Sequence, residues 1–170
     1  QTFDYIGAKK AGLSDQQIND AFLEFKPSFG RQEIIIYKNH NVQLFLSKNP
    51  TSFNQSYQTI KELDGKTILI VLNDRIPDGR DVSWIWDTNW EIISSKIKSV
   101  NISGIRAWDL ANRFKYANIK LSKNNVHENI SYSIKRAAEQ TNNNDTLIIL
   151  PTYTALLAIQ KEIKGGTKWH

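Results

Sequence analysis

Four carboxylates, Asp74, Asp78, Asp81 and Asp87, fall within fourteen positions of the chain, with Arg75 and Arg80 interspersed. Gly79 permits a tight bend among them, so the bend can hold one aspartate toward a partner or a phosphate. The same residues can equally be a folding device. Asp78-Gly79 then forms a turn, Asp81 caps a short helix over Ser83 to Trp86, and the arginines neutralise the remaining acids. No serine, cysteine or histidine nucleophile motif lies nearby, so one aspartate cannot complete a catalytic set within this chain. An aspartate of this kind fits the third place in a nucleophile, base and orienter array, where it fixes the tautomer of a histidine and stabilises its cation. Trp84, Trp86 and Trp90 follow closely and suit core or interface anchors better than cofactor stackers.

Three other segments can bind anions. Lys48-Asn49-Pro50 falls between a strand and a helix and can present Lys48 to a phosphate, or simply to solvent. Ser103-Gly104-Ile105-Arg106-Ala107 offers an arginine suited to a carboxylate or phosphate, or a glycine turn with a surface arginine. Pro151-Thr152-Tyr153-Thr154 can be a helix start with two candidate caps. No Gly-x-x-x-x-Gly-Lys-Ser/Thr loop is present, so the chain alone is not expected to be an ATPase. His40, His127 and His170 lack metal-ligand spacing and cysteine is absent, so no metal site is expected and any thiol chemistry must come from a partner.

The elements that position these residues alternate. A helix is expected from Ser14 to Phe25, capped by Ser14, and a hairpin from 33–37 and 42–46 around the turn at 38–41. Helices follow at 50–63, 90–96, 106–116, 128–140 and 154–163, and strands at 67–72, 99–103, 118–121 and 146–150. This predicts an α/β, Rossmann-like domain with a mainly parallel sheet flanked by helices, preceded by an N-terminal helix and hairpin. Ligands of such sheets gather at the carboxyl ends of the strands, where the 73–81 loop, Ser103-Gly104 and Pro151-Thr152 fall. A domain boundary is expected near Phe29 to Arg31. The 170 residues suffice for one ordinary domain, and the charge of +5 is scattered along the chain. That charge fits an anionic ligand or partner. It comes without the signatures of nucleic-acid recognition, a transmembrane run or a targeting segment, so a cytoplasmic protein is expected.

Taken in order, Phe29-Gly30-Arg31-Gln32-Glu33, Lys48-Asn49-Pro50-Thr51-Ser52-Phe53-Asn54, Asn73 through Asp87, Ser103-Gly104-Ile105-Arg106-Ala107 and Leu150-Pro151-Thr152-Tyr153-Thr154-Ala155 resemble the C-terminal domain of the MurT family. These are the Mur-ligase-like subunits of lipid II isoglutaminyl synthase. Asp-Gly-Arg-Asp-x-Ser-Trp with Pro-Thr-Tyr-Thr-Ala is the specific part of the match; Asn-Pro alone means little.

The resemblance implies that residues 1–30 are the end of a Mur ligase central domain and 31–170 the C-terminal domain. It implies a heterodimer with a GatD-type glutaminase that releases ammonia from glutamine. The ligase subunit uses ATP and Mg2+ to activate the α-carboxyl of D-glutamate in the lipid II stem peptide, at the inner face of the membrane, and amidates it to D-isoglutamine. The glutaminase brings cysteine and histidine; the ligase subunit brings the second aspartate of Asp-Gly-Arg-Asp, here Asp81, ahead of Asp78 and Asp87. Arg80 and Trp84 beside it are then at the partner interface. Arg31 and Asn49 map onto nucleotide-binding positions, with Lys48 joining them. Phe45-Leu46-Ser47-Lys48 replaces the Asp-Tyr-Ala-His that precedes Asn-Pro in other Mur ligases. The phosphate-loop domain and the zinc ribbon of the central domain are missing, so this stretch is not expected to hold ATP tightly or to amidate lipid II alone. Two other readings are a non-catalytic Rossmann-like module that docks a partner or nucleotide, and the C-terminal domain of another Mur-type or folylpolyglutamate-type ligase.

Overall fold

The computed structural model describes residues 2–24, 31–62, 67–95 and 97–165. Thr2–Lys10 (α1) and Asp15–Glu24 (α2) are two short helices. Ser14 and Gln17 exchange backbone and side-chain hydrogen bonds in a capping box at the start of α2, as its sequence predicts. The expected end of that helix at Phe25 and the domain boundary near residue 30 lie outside the described residues, as does the expected end of the 50–63 helix.

Arg31–Tyr37 (β1) and His40–Phe45 (β2) form an antiparallel hairpin. Lys38 and Asn39 both take positive φ, the conformation a two-residue hairpin loop requires. Pro50–Glu62 (α3), Thr67–Val71 (β3), Ser99–Ser103 (β4), Ala107–Tyr116 (α4), Val126–His127 (β5), Ile130–Gln140 (α5), Thr146–Pro151 (β6) and Tyr153–Ile163 (α6) complete the alternation. The sheet order is β1-β2-β6-β3-β4-β5, parallel except for the hairpin.

Every residue of β3 is buried, because alternate side chains enter two separate cores. Ile68 and Ile70 meet Phe53, Tyr57 and Ile60 of α3 and Leu110 and Phe114 of α4 on one face. Leu69 and Val71 meet Ile134 of α5 and Leu156 and Ile159 of α6 on the other. Such two-sided burial gives the strand its unbroken apolar run.

Two expectations change. The predicted strand at 118–121 is instead the C-terminal cap of α4: Asn118 takes φ 55°, its N–H donates to the Lys115 carbonyl, and the Ile119 N–H donates to the Phe114 carbonyl. This is a Schellman motif, in which Ile119 packs into the same core as Phe114, so its apolar character serves the cap. The strand comes later, at Val126–His127. The predicted helix near Trp90 is a 3-10 helix over Trp90–Ser95.

Candidate functional site

The acid-rich loop leaves β3 at the centre of the sheet, where the strand order turns back on itself. Three sequence motifs meet there. The Asn73 side chain is buried: its amide donates to the Thr154 hydroxyl at 3.0 Å and its carbonyl oxygen accepts the Ile105 N–H at 3.1 Å. Its backbone N–H donates to the Thr152 hydroxyl at 3.1 Å. Gly104 packs so closely on this crossing that a Cβ there would lie 2.4 Å from the Leu72 carbonyl oxygen.

Asp78 ends a 3-10 helix over Ile76–Asp78 and turns inward. One oxygen accepts the Thr154 N–H at 2.7 Å, and the other accepts the Thr154 hydroxyl at 2.5 Å and the Arg75 N–H at 3.1 Å. The first turn of α6 is thus capped by a carboxylate from 76 residues away. Asp78→Ala leaves two N–H donors without this acceptor and is expected to cost about 1–2 kcal/mol. Asp87 is exposed, so Asp87→Ala is expected to stay within about 0.5 kcal/mol. Urea denaturation of the two variants checks the contrast; equal midpoints would mean that Asp78 does not bolt the loop.

Past Gly79 (φ 84°) the chain swings outward, leaving Arg80 and Asp81 exposed. Val82 and Ile85 then turn back into the body. Trp90 is fully buried, donates its indole N–H to the Ile85 carbonyl at 2.7 Å, and lies against Phe53 and Phe114. The exposed stretch is therefore fastened on both sides, by Asp78 before it and by Val82, Ile85 and Trp90 after it.

Asp81 accepts the Ser83 N–H at 2.8 Å, which braces the 3-10 helix over Ser83–Trp86. The N-cap of that helix is Val82, not the expected Asp81, whose carboxylate reaches the Ser83 N–H from one residue earlier. The Ser83 backbone N–H, and then its hydroxyl, hold the Asp81 carboxyl below the usual range. A depressed folded-state value favours the native state above the unfolded pKa, and that contribution disappears as pH falls through the folded pKa. Carboxyl-carbon NMR should place the Asp81 midpoint below the reference value of about 3.9; a midpoint at or above it would show that these bonds do not form in solution.

The expected neutralisation takes another route. Arg106 Nε lies 3.5 Å from Asp74 and 3.3 Å from Asp109, so this arginine faces carboxylates of the chain itself. Arg75 and Arg80 are exposed and form no ion pair among the described residues. Trp84 is half-buried against the core, whereas Trp86 is 49% exposed. Trp86 meets Tyr116 edge-on at 5.4 Å, with the Arg113 guanidinium 5.6 Å from its ring. Sequence reasoning missed Arg113 and Tyr116. Tyr116 is exposed on α4 and Arg113 buried beside it, and nothing in their spacing marks either for contact with Trp86.

The remaining candidates stand apart. Asn49 caps α3, accepting the Ser52 N–H at 2.8 Å, while the Ser52 hydroxyl accepts the Lys48 and Asn49 N–H groups. Lys48 is exposed at the rim of a hollow of about 440 Å³ that also borders Gln32, Ser52, Gln55 and Ser56. Arg31 opens β1, but its side chain lies outside the described residues. Among the described residues no group of three His, Asp or Glu is placed to hold a metal, and no helix is long and apolar enough to cross a membrane.

The sheet, its two helical layers and the loop at its centre are those of a Mur-type ligase C-terminal domain. The MurF ligase of Acinetobacter baumannii superposes with a TM-score of 0.64 at 17% identity, over 91% of this chain and 35% of that one. A pseudomurein peptide ligase type C from Methanothermus fervidus gives 0.59 at 19%, over 95% and 33%. The chain belongs to the MurT ligase C-terminal family, which it matches over residues 46–156. It is 28% identical over 161 residues to the lipid II isoglutaminyl synthase (glutamine-hydrolyzing) subunit MurT of Staphylococcus aureus strain COL, and 30% over 156 residues to that of Streptococcus pneumoniae R6. These alignments cover 94% and 91% of this chain but 36% and 34% of the relatives, so it spans about a third of their length.

Proposed function

We propose that this chain is the C-terminal part of the ligase subunit of a lipid II isoglutaminyl synthase. The enzyme converts the α-carboxyl of D-glutamate in the lipid II stem peptide to an amide, using ATP and ammonia drawn from glutamine, in the cytoplasm at the inner face of the membrane. In this reading Asp81 completes the Cys-His site of a GatD-type glutaminase. The observation that carries it is the placement of Asp81, an exposed, anionic carboxylate on a loop fastened on both sides, in a chain without a cysteine. Such an acid accepts the Nδ1–H of an incoming imidazole and stabilises the imidazolium formed when that ring takes the thiol proton. The names of the Staphylococcus and Streptococcus relatives support the assignment to a lipid II isoglutaminyl synthase subunit.

ATP supplies the phosphoryl group that activates the carboxylate. The hollow beside Lys48 offers a nucleotide one cation, whereas Asn49 and Ser52 serve the α3 cap and the Ser56 hydroxyl donates to the Ser52 carbonyl. Mg2+ accompanies the ATP of the full-length subunit in this reading. Reconstituting the full-length protein with the GatD-type glutaminase of the same organism, and following glutamine-dependent amidation of lipid II, tests the proposal. A glutaminase that hydrolyses glutamine at full rate alone would sink the role of Asp81 and favour a docking module without chemistry.

A further inference from the structure

We infer that Trp86, beside Tyr116, is the anchor on which the glutaminase subunit seats, and that the facing surface is an apolar recess. This rests on the reading of Asp81 given above. Trp86 closes the 3-10 helix that Asp81 braces at its start. The three steps within the helix rise about 2 Å each and the two before it span at most about 3.6 Å each, so Trp86 lies within about 13 Å of Asp81. A protein that sets a histidine on Asp81 covers about 800 Å² of this chain, equivalent to a disc of about 16 Å radius. Centred on Asp81, that disc includes Trp86.

The side chain is also prepared for the task. Half of it is exposed, and it meets the exposed Tyr116 in an edge-on contact and the Arg113 guanidinium over its ring. Arg113 is itself buried and fixed by Glu91 at 2.9 Å and by the Thr88 carbonyl at 3.3 Å. An aromatic side chain already immobilised loses little freedom on binding, and Trp, Tyr and Arg dominate interface hot spots. Trp84, two residues earlier, spends its ring on the core.

The test is calorimetric titration of the full-length protein with the GatD-type glutaminase of the same organism. Trp86→Ala should raise Kd roughly 30-fold, a loss overcome by raising the glutaminase concentration, with Tyr116→Ala in the same direction and Trp86→Phe closer to wild type. Asp81→Asn should hydrolyse glutamine poorly even at saturating glutaminase, a loss that Trp86→Ala does not share. Trp108 is 55% exposed and lines a separate hollow with Lys115, Lys120 and Val126, so Trp108→Ala should leave Kd unchanged. Tight wild-type association with an unchanged Kd for Trp86→Ala would overturn the anchor and leave the role of Asp81 standing. An equal loss at Trp108 would also overturn it, as general stickiness. No association of the wild type at all would remove the reading of Asp81 and the anchor with it.

Discussion

Asp81→Asn should lower glutamine hydrolysis by the assembled complex by up to about four orders of magnitude, with little change in thermal stability. The size follows from what the charge does. An amide occupies the same space and can still accept the Ser83 N–H, so the loop keeps its course. It presents neither the negative charge that steadies an imidazolium nor an acceptor on both branches, and the facing histidine settles in the wrong tautomer. Steady-state hydrolysis at saturating partner separates this from a folding defect, because the loss lies in kcat. Asp87→Asn, at an exposed position of the same loop, should retain wild-type turnover. Equal activity of Asp81→Asn and wild type would refute the triad assignment.

Gly104→Ala should be the most damaging substitution for the fold. Its φ of 96° is strained for any residue with a Cβ, and that Cβ would meet the Leu72 carbonyl oxygen at 2.4 Å and Asn73 Oδ1 at 2.9 Å. Both neighbours are committed, since the Leu72 carbonyl accepts the Arg106 N–H and Asn73 Oδ1 accepts the Ile105 N–H. A loss of about 3 kcal/mol or more is expected, lowering the melting temperature by roughly 6–12 °C. Gly79 has a similar φ of 84° with nothing within 4 Å of a built Cβ, so Gly79→Ala should cost only the conformational strain, about 1 kcal/mol. Thermal melts of the two variants should differ clearly; similar melting temperatures would show that the crossing at Leu72 relaxes around the added carbon.

Much of the architecture was legible because local signals agree with it. Ser14 with Gln17 and Asn49 with Ser52 cap helices within three residues of themselves, and the unbroken apolar run at 67–71 needs two helical layers to cover it. Local reading failed where a distant partner decides the outcome. Ile119 looks β-prone until Phe114 is seen to receive it. Asp78 and Thr154 are joined across 76 residues, and no spacing within the loop distinguishes Asp78 from Asp81. The α1 helix has no regular apolar stripe, and Tyr5 and Lys9 instead bind Asp15 of α2. Trp84 and Trp86 are indistinguishable by type. Only the orientation of the 3-10 helix decides which indole the core takes and which remains open.

The carboxylate of Asp78 at the start of α6 also determines which molecules this domain can select. In doubly wound sheets that position commonly receives a ligand's phosphate or carboxylate. Here an incoming anion must displace a group delivered by the same chain, and a well-positioned intramolecular group acts at an effective concentration of molar or above. Cellular phosphate at millimolar levels loses that competition. The hollow of about 300 Å³ bordered by Asn73, Arg75, Gly104 and Thr154 is therefore already supplied with its own anion at the start of α6, and a ligand entering it meets that carboxylate first.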